Sequence, residues 1–299
     1  SPNFDPNTVE EQWSWLTSEE NTTQNMMNHA TQGTYPPGST FKLITLLEYI
    51  RENPDTWQDF HYTCTGTYTN GDYVVNCHDG VAHGELDIYG ILGMSCNGAF
   101  DTIAQTLNST KWQKLAEDFG YNQSDRSQVD FPYKKSHFDI ASDDSVWSRM
   151  QLAIGQGTTT VTPLLNLMIY AAIANDGVMM TPYLVDHYLD ADGNVVEQTK
   201  PKALRSVCTK AEAELMDEFL TYVITNGTAA AGGSQYARVS GKTGSAQYDS
   251  TKNYHAWFCG YGTNDVSEIA VCVMIEKGGA GGIVAAPVAG QIFDYYFSR

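Results

Sequence analysis

From Phe41 to Ile50 apolar residues recur at helical spacing until Asn53-Pro54 stops them. The same spacing predicts helices over Leu86 to Gly93, over Ala99, Phe100, Ile103, Ala104 and Leu107, and over Lys111 to Phe119 before Gly120. Thr162-Pro163 starts another that runs through Ala174 to a stop at Asn175-Asp176-Gly177. Thr209 caps an amphipathic stretch carrying Leu215, Phe219, Leu220 and Val223, and a last helix is predicted over Val288 to Phe297. A short surface helix is expected within residues 8–20, around Trp13, Trp15 and Leu16. Three strands follow one another at Arg238 to Tyr248, Tyr254 to Gly262 and Glu268 to Glu276. Hairpins are expected near 61–77, around Thr69-Asn70-Gly71-Asp72, and from Met179 to Tyr188 into the stretch after Asn194, around Asp190-Ala191-Asp192-Gly193. Residues 21–34 and 121–148 are polar and loop-like, and a loop as long as the second is often functional. There is no internal repeat. A helical middle bracketed by strands predicts an α+β fold, an antiparallel sheet with helices packed on it.

A chain of 299 residues can bury a full core. Its 35 acidic and 17 basic side chains leave a net charge of -18, which argues against nucleic acid or anionic membrane surfaces as partners. An anionic substrate would need a local positive site, so the few lysines carry weight. No apolar run reaches transmembrane length. The opening Ser1-Pro2-Asn3-Phe4-Asp5-Pro6-Asn7 has no initiator Met and reads as a cut inside a longer protein. The cysteines are Cys64, Cys77, Cys96, Cys208, Cys259 and Cys272. Cys64 and Cys77 flank the first hairpin turn, and three readings stay open for them: a disulfide, free thiols, or a zinc set with His78 and His83.

Three short motifs carry chemistry. Tyr35-Pro36-Pro37-Gly38 breaks the chain just before Ser39, and Lys42 follows one helical turn later. A helix mouth offers unpaired N–H groups to an oxyanion, and a desolvated lysine can lose its proton and act as base to the serine. Ser-x-x-Lys alone arises by chance about once in a chain of this size. The second motif, Ser95-Cys96-Asn97, sets a hydroxyl and a carboxamide at a break between helices. The third, Lys242-Thr243-Gly244-Ser245, lies inside a predicted strand. It is no phosphate-binding P-loop, because Tyr236 stands where the leading glycine belongs and strand, not helix, follows the lysine.

In this order the three motifs form the signature of serine β-lactamases and penicillin-binding proteins. The chain resembles the transpeptidase domain of class B penicillin-binding proteins. The opening segment, Asn28-His29-Ala30-Thr31-Gln32-Gly33-Thr34-Tyr35 before the nucleophile, His83-Gly84 and Gly155-Gln156-Gly157 fit the same family, so the likeness covers nearly the whole chain. His29 departs from it, standing where that family has an arginine.

The resemblance implies a five-stranded antiparallel sheet flanked by helices, with an all-helical subdomain, over residues 1–299. A membrane anchor and pedestal domain are expected outside this chain, with the domain on the extracytoplasmic face of a bacterial membrane. It implies a D,D-transpeptidase that cross-links peptidoglycan stem peptides ending in D-Ala-D-Ala and is acylated by β-lactams. Ser39 would be the nucleophile, Lys42 its base and Ser95 a proton relay. The N–H groups of Ser39 and Ser245 would bind the oxyanion. Asn97 would hold the acyl-chain amide, and Lys242, Thr243, Gly244 and Ser245 the substrate carboxylate. The chemistry needs no metal or organic cofactor, and a glycosyltransferase is the expected partner. A D,D-carboxypeptidase, a β-lactamase or a non-turnover β-lactam sensor would share these motifs, although the Glu-x-x-Leu-Asn motif of class A β-lactamases is absent.

Overall fold

The computed structural model describes residues 3–123, 129, 131–249, 251 and 253–299; Ser1 and Pro2 of the opening motif, and 124–128 and 130 of the long polar segment, lie outside the described residues. In chain order the elements are α1 (Val9–Leu16), α2 (Lys42–Glu52), β1 (His61–Cys64), β2 (Thr67–Asn70), β3 (Tyr73–Asn76), β4 (Gly84–Asp87), α3 (Ile88–Gly93), α4 (Asn97–Ala104) and α5 (Ser109–Asp118). Then come α6 (Val146–Ala153), α7 (Pro163–Ala174), β5 (Val178–Met180), β6 (His187–Leu189), β7 (Val195–Gln198) and β8 (Ala203–Ser206). The chain closes with α8 (Lys210–Asn226), β9 (Arg238–Gln247), β10 (Tyr254–Thr263), β11 (Glu268–Ile275) and α9 (Gly281–Phe297). The α+β fold is as expected.

The central sheet is antiparallel, in the order β11-β10-β9. Alternate residues of β10 point to opposite faces. Phe258 and Gly262 meet Phe293 and Phe297 of α9, while Tyr261 on the other face donates to Asp217 of α8 at 2.7 Å. Helices therefore cover both faces. The sheet has three strands among the described residues, where five were expected. The reason is that the remaining strands are only three or four residues long and pair locally, as β1-β4, β2-β3, β5-β8 and β6-β7.

Local chemistry sets most helix ends. Thr162 accepts from Leu165 N at 3.1 Å ahead of Pro163, and Thr209 forms a full capping box with Glu212 at the head of α8. The first hairpin is narrower than expected: β2 turns into β3 at Asn70-Gly71-Asp72, with Gly71 at φ +59°, whereas β1 pairs with β4. Leu86 accordingly sits in a strand, and Asp87 caps α3 by accepting from Gly90 N at 2.7 Å. In the second region β6 and β7 form the expected hairpin, but Met179 pairs with Arg205 of β8. α9 begins at Gly281, well before Val288, and carries Pro287 inside it. Among the described residues no helix is long and apolar enough to cross a membrane.

The core sits around α2, whose Leu43, Leu46 and Leu47 are fully buried. Phe41 stacks on Phe138 at 4.9 Å and meets Tyr121 edge-on at 5.4 Å, locking the start of α2 into the helical half. On the other side Arg51 grips Glu212 of α8 through two bonds, of 2.6 and 2.9 Å. A helix that is mostly buried thus begins at the Ser-x-x-Lys motif.

Candidate active site

Ser39 lies in a single 3-10 turn, Gly38–Phe41, that leads straight into α2. Gly38 adopts φ +56°, and a Cβ there would come within 3.0–3.3 Å of Ala246 on β9. Its N–H donates to Gly155 O at 2.9 Å, and Gly155 (φ +70°) has no room for a side chain against Gly38 O. With its amide turned to satisfy both groups, Gln156 exchanges bonds of 3.0 and 3.1 Å with the backbone of Gln247 at the end of β9. The Gly-Gln-Gly segment therefore ties the serine turn to the strand of the third motif. Trp257 reinforces this by donating from Nε1 to Pro36 O at 3.0 Å.

Lys42 is fully buried on the first turn of α2. Its Nζ donates to Ser95 O at 2.7 Å, Ser95 Oγ at 3.3 Å and Asn97 Oδ1 at 2.6 Å, and it lies 5.2 Å from the Phe100 ring. Burial pushes its pKa down to about 8, opposed by the Cys96 and Cys77 thiols and the Asp101 carboxyl.

The second motif sits on the C-terminal cap of α3. Ser95 N donates to Leu92 O and Cys96 N to Ile91 O, a Schellman closure that puts Ser95 in the left-handed region at φ 54°. Glycine usually fills that position, and a residue with a Cβ costs about 1 kcal/mol there. The turn aims Ser95 Oγ between two amines: Lys242 Nζ donates to it at 2.9 Å from the opposite side. Lys242 is as buried as Lys42 and sits well below the ordinary amine range, through burial first and the Lys42 charge second.

The rest of the third motif lines the same strand. Thr243 Oγ1 is 3.0 Å from Thr228 Oγ1, and Ser245 Oγ accepts from Gly281 N at 3.0 Å. Gly244 lets β9 pass close to the serine turn, since a Cβ there would lie 2.8 Å from Pro37 O and 3.2 Å from Thr40 Cγ2. Gly281 is needed for the matching reason on the far side, where a Cβ would strike Gly244 O and Trp257 O. Gly281 and Thr228 had no motif to announce them.

Ser39, Lys42, Ser95, Asn97, Lys242, Thr243, Gly244 and Ser245 thus come together at the junction of α2, the α3–α4 turn and β9. One expected contact differs: both ends of the Asn97 amide are already engaged, Oδ1 by Lys42 and Nδ2 by Asn76 O at 2.8 Å. Asp101, one turn further along α4, was not foreseen. It is fully buried, burial holds its carboxyl well above the usual carboxylate range, and neither oxygen has a hydrogen-bond partner among the described residues.

The comparison that decides the family is direct: the Penicillin binding protein transpeptidase domain matches residues 1–294. This chain belongs to that family. It is 26% identical over 306 residues to the peptidoglycan D,D-transpeptidase PbpA of Mycolicibacterium smegmatis, covering 96% of this chain and 61% of that protein. It is 27% identical over 323 residues to the peptidoglycan D,D-transpeptidase MrdA of Acinetobacter baumannii, covering 99% and 48%. The chain therefore spans about half to three fifths of these relatives. Among solved structures, the D,D-transpeptidase domain of a peptidoglycan glycosyltransferase from Eggerthella lenta superposes with a TM-score of 0.86 at 26% identity, covering 98% of this chain and 72% of that one. Penicillin-binding protein A of M. tuberculosis, solved as a ceftriaxone acyl-enzyme complex, gives 0.84 at 25% identity, with coverages of 96% and 68%.

His29, standing where the resemblance leads to an expected arginine, braces the approach to the nucleophile turn. Nδ1 lies 2.7 Å from Tyr35 Oη and 2.9 Å from Glu276 Oε1, and Nε2 lies 3.1 Å from Thr23 O. Tyr35 donates to the same carboxylate at 2.6 Å, which fixes the approach to the nucleophile turn.

Proposed function

We propose that this domain is a serine D,D-transpeptidase of peptidoglycan synthesis, acting outside the cytoplasmic membrane. The observation that carries the reading is the hydroxyl of Ser95 held between Lys242 Nζ at 2.9 Å and, at 3.3 Å, the Nζ of Lys42, which follows Ser39 by one helical turn. Ser39 attacks the carbonyl between the two terminal D-alanines of a stem peptide while neutral Lys42 takes its proton. The backbone N–H groups of Ser39 and Ser245 receive the oxyanion. Ser95 passes a proton to the departing D-alanine amine, leaving an ester on Ser39. The amine of a neighbouring stem peptide then takes the acyl group, closing the cross-link and freeing Ser39.

The two lysines divide the electrostatic work. Two buried ammonium groups that share one hydroxyl repel each other, so the empty site favours a single charge. The donor's terminal carboxylate, received by Lys242, Thr243 and the Ser245 hydroxyl, restores the charge on Lys242. That charge keeps Lys42 neutral. Substrate binding thereby produces the base. A β-lactam carries a carboxylate and a strained amide in the same relation, and acylates Ser39 through the same steps. Glycosyltransferases that build the glycan strands are the corresponding partners, and the strongly acidic surface suits neither nucleic acid nor anionic lipid.

The test supplies a stem-peptide thioester as donor and a D-amino acid as acceptor amine. Transfer to the amine in excess of hydrolysis is the expected result. Hydrolysis alone would assign a carboxypeptidase, and rapid turnover of penicillin a β-lactamase. A lasting penicillin adduct with no reaction on peptides would assign a sensor.

A further inference from the structure

The antiparallel pairing of β10 with β11 sets Cys259 directly opposite Cys272. Residues opposed in this way have Cα atoms about 4.5 or 5.5 Å apart and side chains on the same face of the sheet. Both separations fall inside the range of about 4.4–6.8 Å that a disulfide spans. The two thiols are free and already in contact, Cys259 Sγ donating to Cys272 Sγ at 3.1 Å. A bond of about 2.05 Å asks the sulfurs to close by only about 1 Å, which small rotations about the side-chain bonds supply. The other close sulfur contacts are wider, 3.6 Å between Cys64 and Cys77 and 3.8 Å between Cys77 and Cys96, and neither joins residues opposed on paired strands.

The two sulfurs stand in different surroundings. Cys259 is fully buried near Tyr121 and near Tyr170 of α7, and burial pushes its thiol up. Cys272 is half-buried on β11, the outer strand of the central sheet. Cys272 is therefore the sulfur that meets a reagent from solvent, and Cys259 waits behind it. Across the sheet the same row continues to Lys242, which β9 places opposite Cys259. One face thus carries Lys242, Cys259 and Cys272 side by side, so a bond between the cysteines would fix the two strands next to the lysine that receives the substrate carboxylate.

We propose that Cys259 and Cys272 form a modification site, a cross-strand disulfide closed by a disulfide-bearing oxidant outside the cytoplasm. The inference rests on the extracytoplasmic reading above, because disulfides persist in oxidising compartments. Cys272 Sγ attacks one sulfur of the oxidant's disulfide; that S–S bond breaks, a mixed disulfide forms, and the first oxidant thiol leaves with the Cys272 proton. Cys259 Sγ then attacks Cys272 Sγ and expels the second oxidant thiol, which takes the Cys259 proton. The chain loses two electrons and two protons, and the oxidant gains both. The closed bond ties the β10–β11 hairpin in the unfolded chain as well as the folded one, which stabilises the fold.

The test incubates the folded, reduced chain with oxidised glutathione, blocks remaining thiols by alkylation under denaturing conditions, and maps the digest by mass spectrometry. The peptides carrying Cys259 and Cys272 should be joined, with the loss of two hydrogens and no retained glutathione. The melting temperature should rise by about 5 °C and return on adding dithiothreitol. Cys272→Ser, a change at the half-buried partner, should abolish both the joined peptide and the rise. The wild-type mapping needs no variant to fold. A wild-type chain in which both thiols remain open to alkylation overturns the proposal, as does one that keeps glutathione on Cys272 without passing the bond to Cys259. Closure is read without penicillin or stem peptide, so a failure of the transpeptidase reading would leave it standing.

Discussion

Gly244→Ala isolates the contact between the nucleophile turn and the carboxylate-binding strand. Gly244 has an ordinary extended backbone, so alanine brings no strain in φ, only one carbon atom. That carbon would lie 2.8 Å from Pro37 O and 3.2 Å from both Thr40 Cγ2 and Trp257 Cβ. Pro37 O is a backbone atom two residues before Ser39, and Trp257 is fixed by its bond to Pro36 O. A carbon normally rests about 3.3 Å or more from an oxygen, so β9 and the serine turn must part by roughly half an ångström. Overpacking of this kind costs about 1–3 kcal/mol of stability. Displacing reacting groups by that distance slows a positioned reaction by about 10- to 100-fold. The assay is the second-order rate of labelling by a fluorescent penicillin, with the melting temperature measured alongside. Gly262→Ala is the control, because its Cβ would strike the Phe297 ring at 2.7 Å, far from Ser39, and should destabilise without slowing acylation. If Gly244→Ala labels within about twofold of the parent, the close approach does not set the acylation geometry.

Three further outcomes follow from the same structure. With Lys42 pushed down to about 8 in the empty site and its charge passing to Lys242 on substrate binding, the acylation rate should stay level between pH 6 and 7 and fall above about pH 8 as the site loses that charge; a tenfold rise between pH 6 and 7 would mean that Lys42 gives its proton to solvent instead. Asn97→Ala deletes the acceptor 2.6 Å from Lys42 Nζ and should slow acylation about 10- to 100-fold; an unchanged rate constant would make the contact incidental. Buried Glu48 on α2 has its carboxyl pushed up to about 7, mainly by burial. The folded state therefore holds that proton more tightly than the unfolded state, and stability is lost as pH rises through about 7. Glu48→Gln should flatten this fall and gain at most about 3 kcal/mol at pH 8, read by denaturant melts; no gain would place the destabilising charge elsewhere.

What the sequence made legible is what is encoded over short spans. Ser39 with Lys42, Ser95 with Asn97, and Lys242 through Ser245 each lie within one turn or one strand. Caps such as Thr162 and Thr209, and the long strands β9 to β11, are written in neighbouring residues too. Partner choice is not. The residues near 61–77 look like one hairpin, yet β1 joins β4, because alternation marks a strand without naming its mate. α9 starts earlier than its sequence pattern predicts, because Gly281, Gly282 and Pro287 signal a break, whereas the glycines let the helix touch Gly244 O, Trp257 O and Thr228 O. α6 is a short helix behind a polar loop, capped by Ser145, and was not anticipated. Cys96 lies between two functional residues in the sequence, and only the folded chain brings it to Cys77. Asp101 likewise had no signal beyond a charge on an apolar face.

The account rests most heavily on Ser39 as the nucleophile, and intact-protein mass spectrometry with benzylpenicillin tests that directly. The folded chain should gain the mass of one penicillin, the adduct should persist for hours, and digestion should place it on the peptide carrying Ser39, with none on Ser39→Ala. An adduct that survives in Ser39→Ala, or a folded wild-type chain that takes up no drug, would contradict it.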